Sequence, residues 1–150
     1  MSPDVAISLG KMGGLVALCF AAMGSAFGTG AAGMSAVGAW KKCYAQNRAA
    51  PFLLVAFIGA PLSQTIYGMI LMGSIVGAAN AGNYPALLGA GILGGIAMGL
   101  SAWMQGRAGA GASDALAETG KGFGNYLMAL GVIETVALFV MVFLMMSVGK

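Results

Sequence analysis

The chain has 150 residues, of which 59% are hydrophobic and 7% are charged, and its formal net charge at pH 7 is +3. A soluble domain carries about 25% charged residues, so this chain has too few to cover a water-facing surface, and an integral membrane protein is predicted. The sequence contains no histidine, which excludes histidine-based catalysis and Cys/His metal clusters, and no basic cluster is long enough to bind nucleic acid.

Four stretches are apolar for long enough to cross a bilayer, which takes about 20 residues at ~1.5 Å of helical rise each. The N-terminal segment lacks the basic region of a cleavable signal peptide, so the first stretch is interpreted as a permanent span. The sequence therefore predicts an all-α membrane protein with four transmembrane helices. Their expected bounds are 12–40, 52–79, 86–112 and 123–148.

The three connections differ in charge. Residues 41–51 hold three positive charges and no negative one, residues 80–85 hold no charge, and residues 113–122 are mixed. The positive-inside rule places 41–51 and 113–122 in the cytoplasm and both termini outside, in a multi-pass cell-membrane protein. Arg107 falls within the third apolar stretch, so the third helix is expected to leave the membrane early.

The two halves of the chain resemble each other. "SAFGTGAAG" (25–33) aligns without gaps to "SAWMQGRAG" (101–109), and "APLSQTIYGMILM" (60–72) can be laid on "LGVIETVALFVMV" (130–142). The first helix thus corresponds to the third, and the second helix to the fourth. This pattern predicts a duplicated hairpin whose two copies have the same orientation, unlike an inverted transporter repeat.

The predicted hairpins comprise residues 1–79 and 80–150, and the first helix of each is crowded with small residues. Because small faces allow helix backbones to approach closely in lipid, these two helices are expected to form an inner layer. The bulkier second and fourth helices would form an outer layer, and copies side by side would close a ring. The small residues include Gly13, Gly14, Gly24, Gly28, Gly91, Gly95, Gly99 and Gly106.

The segment "GTGAAG" (28–33) fits the dinucleotide pattern G-x-G-x-x-G. That fold requires a preceding strand and an acidic residue about 20 positions further on. No strand is predicted before it, and no acidic residue occurs between Asp4 and Asp114. The glycines are therefore attributed to helix packing.

One carboxylate, Glu134, lies inside the apolar stretch "GVIETVALFVMVFLMM" (131–146). A charge at the bilayer centre costs about 2.5–3.5 kcal/mol on insertion scales, and such residues usually mark an ion path. A protonated, purely structural Glu134 is the alternative.

Other polar groups are expected at the same depth. Counting back from the turns puts Gln105 level with Glu134, and Thr29 level with Gln64. The alignment of the two halves gives the same pairing, with Thr29 opposite Gln105 and Gln64 opposite Glu134. The polar groups are therefore predicted to gather in one layer of the membrane.

The second helix carries "SQTIY", in which Ser63, Gln64 and Tyr67 share one face. Pro61 removes a backbone donor and frees carbonyls nearby, so the backbone oxygen of Ala60 is a candidate cation ligand. Tyr67 is expected to donate a hydrogen bond to the carboxylate of the fourth helix. The alternative for Tyr67 is a lipid-facing or interfacial side chain.

These residues together supply five oxygen-bearing groups, which is the donor type that hard cations take. A proton would need only the carboxylate and a few hydrogen-bond partners, so Na⁺ is predicted as the ion. The two Gln side chains have an alternative role as hydrogen-bonding contacts between helices. The predicted ligands are Glu134, Gln64, Gln105, Ser63 and the Ala60 backbone oxygen.

The whole chain resembles the proteolipid (c/K) subunit of bacterial V-type ATPases, and the Na⁺-translocating members most of all. In those members the ligands come from a Ser/Thr-Gln-x-x-Tyr stretch, a Gln-Gly pair and a Glu. Here these are "SQTIY" (63–67), "QG" (105–106) and Glu134, with Ser63 at a position where Thr is familiar.

The resemblance implies a homo-oligomeric rotor ring in a lipid membrane, with one ion carried by each copy. The ring would exchange ions with a stator (a/I) subunit and would be turned through a central-stalk subunit. ATP hydrolysis takes place elsewhere, so this chain would not itself act on ATP. The alternatives are a proton-specific ring of the same fold, a small ion-coupled transporter, and a structural channel-forming proteolipid.

Overall fold

The computed structural model describes residues 1–148, and every regular element in that part of the chain is helical. Four helical rods are long and apolar enough to cross a membrane, which confirms the predicted all-α membrane fold. The second rod is interrupted by a short 3-10 turn. The elements are α1 (Pro3–Ala45), α2 (Leu54–Gly59), the 3-10 turn (Ala60–Leu62), α3 (Ser63–Ala78), α4 (Tyr84–Thr119) and α5 (Phe123–Val148).

Two helices are longer than their apolar stretches. The expectation that 113–122 is a connection is wrong for its first seven residues, because α4 continues to Thr119. Residues 113–119 are mostly good helix formers, and their polar side chains do not break the helix. It ends only at Gly120, whose φ of 66° forms a left-handed C-terminal cap. The last two residues of the predicted hairpin 80–150 lie outside the described residues.

The two longest helices pack side by side in parallel. Three hydrogen bonds between α1 and α4 join residues 75, 74 and 76 positions apart, and such a constant separation requires parallel axes. Glycines allow the backbones to touch: a Cβ on Gly24 would meet the backbone of Gly99, and a Cβ on Gly106 would meet that of Gly28. The expected close pairing of these helices is thus present.

The remaining helices form a second layer. The α2–α3 rod packs on α1, α5 packs on α4, and α3 contacts α5. The buried apolar side chains form two clusters with a gap between them along the helix axes. One cluster contains Leu54, Phe57, Ala112, Leu116 and Leu130, and the other contains Leu71, Ile75, Met98, Ala137 and Met141.

Polar contacts close the end of the molecule that holds the first and third connections. The Arg48 guanidinium donates to the backbone oxygens of Ala117 and Glu118, which lie at the C-terminus of α4. Lys42 lies 3.2 Å from Glu118, and the Trp40 indole donates to the Pro51 oxygen over 2.8 Å. These contacts hold the first connection against the end of α4.

Candidate ion-binding site

The gap between the two apolar clusters contains the polar side chains of the predicted site. On α3, Gln64 falls between Phe57 of one cluster and Leu71 of the other. Gln105 and Glu134 occupy the same position between the clusters on α4 and α5. Gln64 and Gln105 are each 0% exposed, whereas Glu134 is half-buried. Three helices therefore bring their polar groups to one level inside the molecule.

The Glu134 carboxylate is bonded from two sides. The Tyr67 hydroxyl donates to Oε1 over 2.6 Å, as the sequence predicted, and Gln105 Nε2 donates to Oε2 over 3.1 Å. Each carboxylate oxygen thus accepts a hydrogen bond from a different neighbouring helix. The geometry fixes the carboxylate between α3 and α4.

The two buried amides are linked to each other. Gln64 Nε2 donates to Gln105 Oε1 over 2.8 Å, and Gln105 Nε2 also donates to the Leu130 backbone oxygen over 3.0 Å. Buried polar groups are stable only when paired in this way. Sequence patterns did not reveal the Leu130 oxygen, because every backbone has carbonyls and only the packing shows which of them is reached.

Three oxygens lie together at the 3-10 turn. Ser63 Oγ donates to the Ala60 backbone oxygen over 3.1 Å and lies 3.2 Å from Gln64 Oε1. The turn arises because Pro61 has no backbone N–H and its ring cannot fit inside an α-helix. The Ala60 oxygen also accepts the Ser63 backbone N–H. The interruption therefore places a carbonyl, a hydroxyl and an amide oxygen side by side.

Thr29, which is predicted to lie level with Gln64, forms no hydrogen bond with the polar groups of the site. Its hydroxyl donates to the Ser25 and Ala26 backbone oxygens of its own helix, at 2.9 and 3.2 Å. Instead, Ser25, one turn earlier on α1, lies across from Gln64. The overlooked signal was the alignment of Ser25 with Ser101, whose hydroxyl donates across to the Ile133 oxygen over 2.9 Å.

No cationic side chain lies at the site. Within residues 1–148 the ion pair is Lys42 with Glu118, and no Lys or Arg of that part of the chain is paired with Glu134. Arg107 follows Gln105 by two positions, which turns it about 200° around the helix, and its side chain is exposed. The described part of the chain therefore places no positive side chain against the Glu134 carboxylate.

The donor set fits a hard cation, which prefers carboxylate, carbonyl and hydroxyl oxygens. Gln64 Oε1 already lies beside the oxygens of Ser63 and Ala60. The Gln105 amide turns its nitrogen toward Glu134, as suits a hydrogen-bonded carboxylate. To present Oε1 to a cation, this amide would have to turn and give up its present hydrogen bonds to Gln64 and to the Leu130 oxygen.

Comparison with protein families finds a similarity in the second half of the chain. Residues 88–147 match the family model of the ATP synthase C subunit. The matched segment comprises most of α4 and α5 and includes Gln105 and Glu134. This segment is therefore similar to the C subunit of ATP synthases. No curated protein matches the chain.

Proposed function

We propose that the chain is the ion-carrying rotor-ring subunit of a V-type ATPase membrane sector. Each copy binds one Na⁺ at Glu134 and carries it through the membrane during ATP-driven rotation. The observation that carries this proposal is the convergence of Gln64, Gln105 and Glu134 from three helices, joined by hydrogen bonds of 2.8 and 3.1 Å. The chain itself does not act on ATP.

The choice of Na⁺ rests on the oxygens that a proton would not require. A protonated carboxyl needs one acceptor, whereas the site adds the Ser63 hydroxyl, the Ala60 carbonyl and the Gln64 amide oxygen. A proton-specific ring is the second candidate. The hydrogen bonds of Glu134 favour this second candidate, because each carboxylate oxygen accepts a hydrogen bond from a side chain and needs no cation as a partner.

The position of Glu134 suits exchange with a stator. Glu134 is half-buried, so a single copy does not fully enclose its carboxylate. A bound Na⁺ cancels the charge, which lets a loaded copy face lipid at low cost. A fixed Arg on the stator would attract the carboxylate away from Tyr67 and release the ion.

The orientation follows from the charged end of the molecule. Lys41, Lys42 and Arg48 lie at the end of the molecule that holds the first and third connections, and positive charge favours the cytoplasmic side. We therefore place residues 41–51 and 113–122 in the cytoplasm, beside the central-stalk subunit, and both termini outside. Copies of the chain form the ring, and the stator packs against its lipid-facing side.

Carbodiimide labelling of the assembled ring tests the ion. We expect Glu134 to react faster than the three other acidic residues, since it is the one within the apolar region. At a pH where the site otherwise protonates, we expect Na⁺ to slow the reaction of Glu134. Li⁺ at equal ionic strength should protect less than Na⁺, and K⁺ should not protect. Labelling that rising pH suppresses and Na⁺ leaves unchanged would contradict Na⁺ transport and support the proton-specific ring.

Replacement of Gln105 tests the amide pair. Gln105→Ala leaves Gln64 Nε2 and one Glu134 oxygen without their hydrogen-bond partners. A buried polar group that loses its partner costs about 1–3 kcal/mol, which corresponds to a ~5-fold to ~150-fold loss of affinity. We expect the Na⁺ concentration for half-protection to rise within that range while the ring stays assembled. Gln46→Ala, which removes an exposed amide in the first connection, is the control and should leave Na⁺ affinity unchanged. Equal Na⁺ affinity in the two variants would remove Gln105 from the site.

A further inference from the structure

One buried hydroxyl lacks the partners that the others have. Ser25 on α1 is 2% exposed, and no group among residues 1–148 forms a hydrogen bond with its Oγ. Other helix hydroxyls donate to the carbonyl four residues earlier, as Ser113 does to Gly109 and Ser147 to Phe143, both over 2.9 Å. An orphaned buried hydroxyl is costly and calls for an explanation.

The contacts of α1 with the second rod fix the height of this hydroxyl. A Cβ on Gly68 would lie 2.7 Å from Ala21 Cβ, and a Cβ on Gly28 would lie 2.8 Å from Pro61 Cβ. The two helices run in opposite directions, so the residue four positions after Ala21 lies opposite the residue four positions before Gly68. Ser25 therefore lies level with Gln64 of the second rod.

The position of Ser25 differs from that of its counterpart in the second half. Ser101, which aligns with Ser25, donates to the Ile133 backbone oxygen of α5 and is satisfied there. Ser25 makes no such bond to the second rod, although its helix packs closely enough for Gly28 to contact Pro61. The Ser25 hydroxyl is thus left without a partner on the α1 side of the site, away from α5 and Glu134.

We propose that Ser25 is a positioning residue of the ion site and holds one water molecule against the transported cation. The water oxygen coordinates Na⁺, and one of its hydrogens is donated to Ser25 Oγ, whose lone pairs are unused within the described chain. Water bound to a cation is a strong donor, and buried waters typically satisfy polar groups of this kind. This inference rests on the proposed Na⁺ function and adds a sixth oxygen to the five protein ligands.

The role predicts a selective effect. A proton on Glu134 needs no outer water, so the loss of Ser25 Oγ should weaken Na⁺ binding and leave protonation unaltered. A merely structural disturbance of the α1–α3 contact would instead shift both, because Na⁺ and protons compete for the same carboxylate.

Ser25→Ala in the assembled ring tests the inference by carbodiimide labelling of Glu134. We expect the Na⁺ concentration for half-protection to rise about threefold to tenfold, as for the loss of one hydrogen bond to a charged group's shell. The pH of half-maximal labelling without Na⁺ should stay the same. Ser113→Ala, which removes an equally buried but satisfied hydroxyl on α4, should change neither quantity.

Each outcome is decisive. Unchanged Na⁺ protection in Ser25→Ala, with normal protection in the unmodified ring, overturns the role of Ser25 and leaves the proposed function intact. A parallel shift in Na⁺ protection and in the pH of labelling also overturns it. If Na⁺ fails to protect the unmodified ring, the proposed function fails and this inference fails with it. Should Ser25→Ala not assemble, Ser25→Cys, which fills the site with a slightly larger group that is only a weak acceptor, is expected to show the same selective loss.

Discussion

Glu134→Gln is expected to abolish ion transport and ion-coupled ATP hydrolysis by the assembled complex. The substitution keeps the shape of the side chain and can still accept the Tyr67 hydrogen bond, but it removes the negative charge that binds and releases the cation. A neutral side chain gives the stator nothing to attract, so the ring can no longer be driven past it. Transport in reconstituted vesicles and labelling of the ring by carbodiimide measure the two parts of this effect.

The matched control is Glu118→Gln at the end of α4. Glu118 is exposed and pairs with Lys42 over 3.2 Å, and a surface ion pair of this kind contributes about 0–1 kcal/mol. The control should retain transport and normal labelling of Glu134. Transport retained by Glu134→Gln would contradict the assignment of this carboxylate as the ion carrier.

Substitution of the contact glycines is expected to have the largest effect on stability. A Cβ on Gly106 would collide with the backbone of Gly28, and a Cβ on Gly24 with that of Gly99, so α1 and α4 would have to separate. Overpacking costs about 1–3 kcal/mol when the neighbouring side chains can adjust. The cost is expected to be higher here because the added Cβ would meet backbone atoms, which adjust less easily. Gly106→Ala should therefore lower the thermal stability of the detergent-solubilised ring substantially or prevent its assembly.

Gly30→Ala on the same helix as Gly24 and Gly28 is the comparison. A Cβ at Gly30 meets nothing within 4 Å inside the chain, and alanine favours the helix by about 1 kcal/mol. The melting temperature of this variant should equal or exceed that of the unmodified ring. Equal melting temperatures for Gly106→Ala and Gly30→Ala would show that the close contact of α1 with α4 does not stabilise the molecule.

Much of the site was accessible from the sequence for simple physical reasons. An apolar run long enough to cross a bilayer has few alternatives to a helix, and a lone carboxylate in such a run stands out. Counting from the turns put Gln105 level with Glu134 because helical rise is regular, and the structure joins them over 3.1 Å. The placing of Tyr67 on the face of Gln64 followed from helical periodicity in the same way.

The predictions fail where the position of a residue along the helix axis is not enough to determine which side chains touch. Thr29 was expected opposite Gln64, but the packing of Gly28 on Pro61 sets α1 one turn away from that register and brings Ser25 there instead. The end of α4 was placed too early because polarity was taken as the end of the helix, whereas Gly120 ends it. The direction of each amide also depends on partners that only the assembled helices provide.

The difference between the two halves fits the proposal of one ion for each copy. Gln64 occupies the position in the first half that Glu134 occupies in the second, and it bonds to Gln105 rather than forming a second carboxylate site. The division into duplicated hairpins stays a prediction, although the parallel packing of α1 on α4 at separations near 75 residues is what such a duplication would produce.

A cryo-electron microscopy map of the assembled ring in Na⁺ tests the central claim most directly. The account predicts density for one ion among Glu134, Gln64, Gln105, Ser63 and the Ala60 oxygen, with Gln105 Oε1 turned toward it, and loss of that density when Na⁺ is removed. An unchanged network, with Gln105 Nε2 still bonded to Glu134 and no density between the side chains at saturating Na⁺, would contradict it.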